Sequence, residues 1–173
     1  MMGTNVYKAY YGLFDSSLGG ICIASTEKGV CKIALPKEGE TDFFGWLRAH
    51  FGLQNVVEDK GKNEGVLAEL ESYLAGELIE FQSPLDLRGT EFQKRVWREV
   101  KAIPYGTTCS YREVAERIGQ PRAYRAVGAA NGANPVPIIV PCHRVIGRDG
   151  SLTGYGGGLA MKERLLRLEG AIG

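Results

Sequence analysis

The first half of the chain alternates between short β-favouring runs and helical stretches. Residues 6–14 are rich in tyrosine and β-favouring side chains, and residues 21–25 and 30–35 form two more short apolar runs. Leu18-Gly19-Gly20 and Glu27-Lys28-Gly29 separate them. Runs of this length divided by glycine turns predict an antiparallel three-stranded meander. Residues 36–40 read as a loop. A helix then follows Thr41-Asp42, carries Phe43, Phe44, Trp46 and Leu47, and ends near Gly52. Residues 64–74 predict a second helix, with Val66, Leu67, Leu70 and Leu74 recurring on one face. Residues 79–85 show neither period and read as a linker or an extended edge.

The second half is more helical. Thr90 precedes a run carrying Phe92, Val96, Trp97 and Val100, and Gln93 stands three residues after it. That spacing predicts a capping box, in which side chain and backbone at the helix start satisfy each other. Ser110 and Glu113 repeat the arrangement ahead of a short helix over residues 111–118. Pro121 is expected to begin another helix running to Asn131. Two short helices joined by a tight turn make a helix-turn-helix pattern, with the second helix placed to read DNA. Asn134-Pro135-Val136-Pro137 must be extended and stiff. Residues 138–140 read as a buried strand-like run leading into Pro141-Cys142-His143. A glycine-rich loop covers residues 147–158, and a last helix covers residues 159–168 with Leu165, Leu166 and Leu168 toward the core. The expected division is an α/β domain over residues 1–85 and a mainly α domain over residues 86–173.

Charge sharpens that division. Residues 1–85 carry 7 Lys/Arg against 12 Asp/Glu, and residues 86–173 carry 14 against 8. An excess of cations in the second half points to a polyanionic partner. No apolar run is long enough to cross a bilayer, and the first residues lack the pattern of an export signal. A cytoplasmic protein is expected, or a nuclear one in a eukaryote. Four cysteines are present, Cys22, Cys31, Cys109 and Cys142. In such a compartment they read as free thiols. There is no Cys-x-x-Cys pair, and the only histidines are His50 and His143. Neither a metal nor a cofactor is expected.

Cys142 carries the candidate chemistry. A thiol attacks as its thiolate and needs a base or a positive field beside it. His143 is the next residue. In an extended segment neighbouring side chains point to opposite faces, so a bridging water is the expected relay between them. Glu169, at the end of the last helix, is a candidate to orient the imidazole. Taken alone, Cys142 reads more readily as a buried structural cysteine.

The neighbours change that balance. Phe92-Gln93, Val96-Trp97, Ile103-Pro104-Tyr105-Gly106, Ser110-Tyr111, Arg125-Ala126-Val127-Gly128, Asn134-Pro135, Pro141-Cys142-His143-Arg144-Val145, Gly154-Tyr155, Gly157-Gly158, Lys162, Leu165-Leu166 and Glu169 occur in this order. Over about residues 87–170 the chain closely resembles the O6-alkylguanine-DNA alkyltransferases, also called methylated-DNA–protein-cysteine methyltransferases. Residues 1–85 are similar only in general layout.

The resemblance implies a C-terminal domain like a winged helix-turn-helix and an N-terminal α/β domain shaped like ribonuclease H. It implies that Cys142 accepts an alkyl group from O6 of guanine, irreversibly and once. His143 would take the thiol proton through water, Glu169 would orient His143, and Asn134 would brace the turn before the active-site segment. Tyr111 would donate a hydrogen bond to the guanine ring. Backbone groups at Cys142, Val145 and Gly156 would read the base edge, under a lid formed by Tyr155 and its glycines. The base would be flipped out of double-stranded DNA, with Arg125 filling the gap. Ala123, Ala126 and Gly128 would let the helix approach the minor groove closely. The partner would be duplex DNA bearing O6-alkylguanine, the protein a monomer with no membrane contact.

Two departures from the family pattern stand out. Gly156 occupies a lid position where some relatives carry serine, and the cysteine and histidine set that binds zinc in some N-terminal domains is not recognisable. A regulator with a helix-turn-helix but no transferase activity would explain the charge split, but not Cys142, His143 and Glu169 together. A cysteine hydrolase would need repeated turnover.

Overall fold

In the computed structural model, residues 7–173 are described, so the predicted strand start at Val6 lies outside the described residues. The meander is present as β1 (Ala9–Ser16), β2 (Gly19–Thr26) and β3 (Gly29–Ala34), paired antiparallel in sequence. A fourth strand that hydropathy does not reveal, β4 (Val56–Glu58), joins the free edge of β1 in parallel, giving the order β3-β2-β1-β4. Three residues are too few to show a period, so its pairing is set by tertiary context.

Both faces of the sheet are covered, and β2 shows how. Cys22 and Ala24 point to one side and Ile21 and Ile23 to the other, the two-residue alternation of a strand. On the first side lies α1 (Gly39–Phe51), burying Phe43, Leu47 and Phe51. It starts one turn earlier than Thr41-Asp42 would place it. On the second side lies α2 (Glu64–Leu74), burying Val66, Leu70 and Tyr73. This second cluster also takes in Val136, Ile138, Ile139 and Leu165. The far half of the chain therefore completes the core of the sheet. Each such side chain, fully buried, contributes about 1.5–3 kcal/mol of transfer free energy.

The outer edge of β3 is closed by the chain itself. Val30 N–H donates to Pro84 O at 2.9 Å, Asp86 N–H donates to Val30 O at 2.8 Å, and Ile33 N–H donates to Pro135 O at 2.8 Å. Gly29 permits the first contact. Its φ is +146°, and a Cβ there would collide with the Pro84 carbonyl.

The C-terminal half consists of α3 (Glu91–Lys101), α4 (Tyr111–Arg117), α5 (Tyr124–Gly132) and α6 (Leu159–Leu168), with a small parallel pair, β5 (Cys109–Ser110) and β6 (Val145–Ile146). Both predicted capping boxes form, at Thr90/Gln93 and at Ser110/Glu113. α3 turns Val96, Trp97 and Val100 into a core shared with Val114, Ala115, Val127 and Ala130 of α4 and α5. The indole Nε1 of Trp97 donates to Ala130 O at 2.8 Å, so the largest buried ring has its polar atom satisfied.

Three local expectations are corrected. α5 begins at Tyr124, not at Pro121. Ala123 N–H bonds Gln120 O at 2.8 Å, closing a turn through Pro121 and Arg122, and Ala123 becomes the N-cap. Residues 138–140 are buried as expected but form no strand. Val140 N–H returns to Val136 O at 3.0 Å, and Ile138 takes φ +75°. Pro135, Pro137 and Pro141 lack the N–H groups a ladder needs. Finally, Cys142–Arg144 is a 3-10 turn rather than an extended segment.

Candidate active site

The turn around Cys142 is built by asparagines. Asn134 Oδ1 accepts from Val136 N–H at 2.9 Å, and its Nδ2 donates to Val140 O at 2.8 Å. One side chain thus pins both ends of the proline-bounded segment. It holds Ile138 in a left-handed conformation that costs a β-branched residue roughly 1–3 kcal/mol. Asn131, at the end of α5, donates to Cys142 O at 3.2 Å. Sequence reading did not single it out.

Cys142 is buried, with 5 % of its surface exposed. Burial pushes its thiol up to about 11, while the Asn134 side chain and the Lys162 ammonium pull the other way. At neutral pH the resting group is a thiol, so reaction requires a base.

His143, the next residue, is wholly buried. Its Nε2 lies 2.7 Å from Glu169 Oε1. A carboxylate at that distance calls for the proton on Nε2, which leaves the lone pair on Nδ1. Nδ1 is buried and has no hydrogen-bond partner among the described residues. Burial lowers the imidazole pKa below its ordinary 6.5, although Glu169 opposes this, so the resting ring is neutral.

Glu169 is the hub. Arg144 grips it from the side, Nε to Oε2 at 2.9 Å and Nη2 to Oε1 at 2.8 Å, while Nη1 donates to Ile103 O at 2.6 Å. Tyr73 donates to Oε1 at 2.6 Å. Burial acts to raise the carboxyl pKa, but the bonds from His143, Arg144 and Tyr73 outweigh it and hold it at about 2. Paired and hydrogen-bonded in this way, a buried carboxylate stays ionised. The sequence pattern gives Arg144 no role within the recognised segment and does not single out Tyr73.

Cys142, Asn134, Pro137, Tyr155 and Gly156 line a cavity of about 550 Å³, whose lining does not include Tyr111 or Val145. Tyr111 donates to Thr153 O at 2.9 Å. Lys162 is fully buried and donates to Val145 O at 2.6 Å and Thr153 O at 3.0 Å, tying the lid loop to β6. Burial lowers its ammonium to about 8. Tyr155 is half-buried in the lid, and its hydroxyl has no hydrogen-bond partner among the described residues. Gly157 lets the loop pass close by. A Cβ there would sit 2.8 Å from the Tyr155 ring and 3.1 Å from Leu35.

Arg125 and Ala126 are exposed on α5, away from the residues that line the cavity. Ala123 is half-buried at the N-cap, and Gly128 is half-buried beside the Tyr111 ring. Tyr124 interrupts the small-residue face. It is 37 % exposed, with the Arg112 and Arg125 guanidinium groups 5.5 and 5.9 Å from its ring. Among the described residues no cluster of three or more His, Cys, Asp or Glu could hold a metal, and no helix is long and apolar enough to cross a membrane.

Comparison with known proteins covers both halves. The family described as 6-O-methylguanine DNA methyltransferase, ribonuclease-like domain, matches residues 9–87. The DNA binding domain of the same family matches residues 91–171. The methylated-DNA–protein-cysteine methyltransferase of Mycobacterium tuberculosis is 60% identical over 160 residues, 92% of each chain. The inducible enzyme of that name from Bacillus subtilis is 46% identical over 168 residues, 97% of this chain and 94% of its own. A crystal structure of Mycobacterium tuberculosis OGT in complex with DNA superposes with a TM-score of 0.82, covering 93% of this chain and 92% of that one, with 46% identity in the superposition.

Proposed function

This chain belongs to the 6-O-methylguanine DNA methyltransferase family, and on that premise we propose that it repairs O6-alkylguanine in double-stranded DNA by moving the alkyl group to Cys142 Sγ. The observation that carries the assignment of residues is the 2.7 Å contact of His143 with Glu169, which leaves Nδ1 as the free acceptor one residue from Cys142.

The reaction balances simply. The thiol proton passes to His143 Nδ1, directly or through a water. The thiolate attacks the alkyl carbon, the S–C bond forms, and the C–O6 bond breaks with its electron pair going to the guanine. The departing purine collects a proton and leaves as guanine. Glu169 stays ionised and stabilises the imidazolium that forms. The thioether on Cys142 has no leaving group of comparable ease, so each molecule reacts once.

Tyr111 donates to the guanine ring as charge develops there, exchanging Thr153 O for the base. The carbonyls of Cys142 and Val145 and the N–H of Gly156 read the base edge. Val145 O already accepts from Lys162, and a carbonyl retains a second lone pair for the base. Arg125, exposed at the start of α5, occupies the space the flipped nucleotide leaves, while Ala123, Ala126 and Gly128 keep that helix slim. Flipping costs a few kcal/mol, less at a damaged pair. The excess of cations over residues 86–173 supports a salt-dependent, sequence-independent affinity for DNA. The protein acts as a monomer, in the cytoplasm or in a eukaryotic nucleus, where its four free cysteines stay reduced.

Intact-protein mass spectrometry after incubation with a duplex carrying O6-methylguanine tests the reading. The wild type should gain one methyl group per chain, mapped to Cys142. Cys142→Ser should gain none and still bind DNA. Label on Cys22, Cys31 or Cys109, or repeated turnover, would overturn it.

A further inference from the structure

One oxygen of Glu169 is crowded. His143 Nε2 lies 2.7 Å from Oε1, Arg144 Nη2 donates to it at 2.8 Å and Tyr73 Oη at 2.6 Å. A carboxylate oxygen offers about two lone pairs, so three donors share them. Oε2 is served by Arg144 Nε at 2.9 Å and by Gly106 N–H at 3.4 Å. Two of the donors on Oε1 come from the turn that carries Cys142. The third comes from α2, in the other half of the chain.

Tyr73 is held firmly. It is fully buried, its ring lies 5.6 Å from that of Phe81, and it meets the Tyr105 ring edge-on at 6.2 Å. Burial, and then the bond to Glu169, push its pKa well above the ordinary 10, so the hydroxyl keeps its proton and donates at any working pH. Its oxygen is also 3.4 Å from His143 Nε2, near the outer limit of a hydrogen bond, which leaves Oε1 as the principal acceptor of the ring proton. His143 is further faced by Lys162 of α6 and by Arg144 of its own turn, and both cations oppose its protonation. Cys142 beside it is a neutral thiol at rest. Glu169 alone among these groups favours the imidazolium.

We propose that Tyr73 is a positioning residue for the reaction, whose hydroxyl takes a share of the charge on Glu169 Oε1 and thereby holds down the basicity of His143. The proposal rests on His143 acting as the base. Each donor bonded to a carboxylate stabilises its charge and weakens its pull on the others. Without the hydroxyl, Oε1 would stabilise the imidazolium more strongly, and the ring would take up a proton at higher pH. With it, the ring stays neutral and able to accept the thiol proton. A residue of the ribonuclease-like half thus tunes a proton transfer in the DNA-binding half.

Two measurements on the full chain test it. One is the pH dependence of single-turnover transfer from a duplex carrying O6-methylguanine. The other is the NMR titration of the His143 ring, with the exposed His50 as the only other imidazole. In Tyr73→Phe the His143 midpoint and the acid limb of the rate should both rise, by about half to one pH unit, part of the weight of one bond to a charged group. The rate above the limb should stay within about threefold of wild type. Replacing Tyr73 with 3-fluorotyrosine keeps the ring and strengthens the donor, so midpoint and limb should both move down. Lost packing cannot produce opposite shifts. An equal loss of rate at every pH with the midpoint unmoved, or a midpoint that falls in Tyr73→Phe, would overturn the proposal. If Tyr73→Phe does not fold, the fluorinated protein decides alone, and an unmoved midpoint overturns it. Failure of the wild type to take up methyl would instead remove the acceptor assignment, and the His143 titration would still decide the role of Tyr73.

Discussion

Tyr73 and Glu169 stand 96 positions apart and in different halves of the chain, yet Tyr73 Oη donates to Glu169 Oε1 at 2.6 Å. The helix of the ribonuclease-like half thereby sets part of the environment of the base. Tyr73→Phe keeps the ring and removes only this donor. It should lower stability by about 1.5–3 kcal/mol, the usual worth of a bond to a charged group. Urea unfolding measures it, and an unchanged midpoint would show that Arg144 and His143 satisfy the carboxylate without it.

His143 and Glu169 should fail as a unit. His143→Ala and Glu169→Gln each disable the same proton transfer, so the double variant should be little slower than the poorer single one. Glu169→Gln also leaves Arg144 buried without its partner, at a cost of about 3–5 kcal/mol. Circular dichroism must therefore accompany the rates. Multiplicative losses in folded protein would mean that the two side chains act independently.

The pH dependence has a definite sign. His143 must be neutral to accept a proton, and burial holds its pKa below 6.5. The transfer rate should stay flat at neutral pH and fall only below that value. In His143→Ala the rate should instead climb with pH toward the raised thiol pKa of about 11. Stability follows the same groups. His143, depressed in the folded protein, favours the fold above 6.5, and that contribution is lost as acid is added below it. Glu169 contributes fully above its ordinary 4.5 and loses its share as pH falls toward about 2. Acid unfolding curves of wild type and Glu169→Gln should differ across this window and converge below it.

Arg125→Ala should slow repair in duplex DNA by at least about tenfold, in keeping with the few kcal/mol that base extrusion costs. Transfer from free O6-benzylguanine should change little. Equal losses on the two substrates would assign Arg125 to folding or chemistry.

Asn134→Ala leaves the Val136 N–H of the proline-bounded turn without its partner, worth about 1–3 kcal/mol when buried, and leaves Val140 O with only Cys142 N–H, at 2.8 Å. The left-handed Ile138 loses its brace at the same time. The variant should be strongly destabilised and inactive, and a hydrogen-exchange increase confined to the turn would locate the damage.

Much of this was legible in the residues. Both capping boxes, the meander, α2, α6 and the contact of His143 with Glu169 follow from spacing and resemblance. What escaped has a common cause. Apolar residues over 138–140 signal burial, and burial was met by a turn because three prolines removed the ladder donors. Pro121 signals a helix start, but Gln120 O captured Ala123 N–H and delayed α5 to Tyr124. The contact of Tyr73 with Glu169 has no local signature, since it is decided by how the two halves pack.

The bond from Ile33 to Pro135 carries a further consequence for the health of the chain. β3 is an edge strand, and exposed edges recruit other chains into mixed sheets. Here the edge is capped partly by residues 84–86 and partly by the first residue after Asn134. The segment that presents the reactive thiol is thus also the guard of a sticky edge. Damage to that segment, whether by substitution or by local unfolding, would release the guard. Solubility and repair capacity then fail together, and loss of function at this turn should appear in cells as aggregated protein rather than as an inert, well-dispersed one.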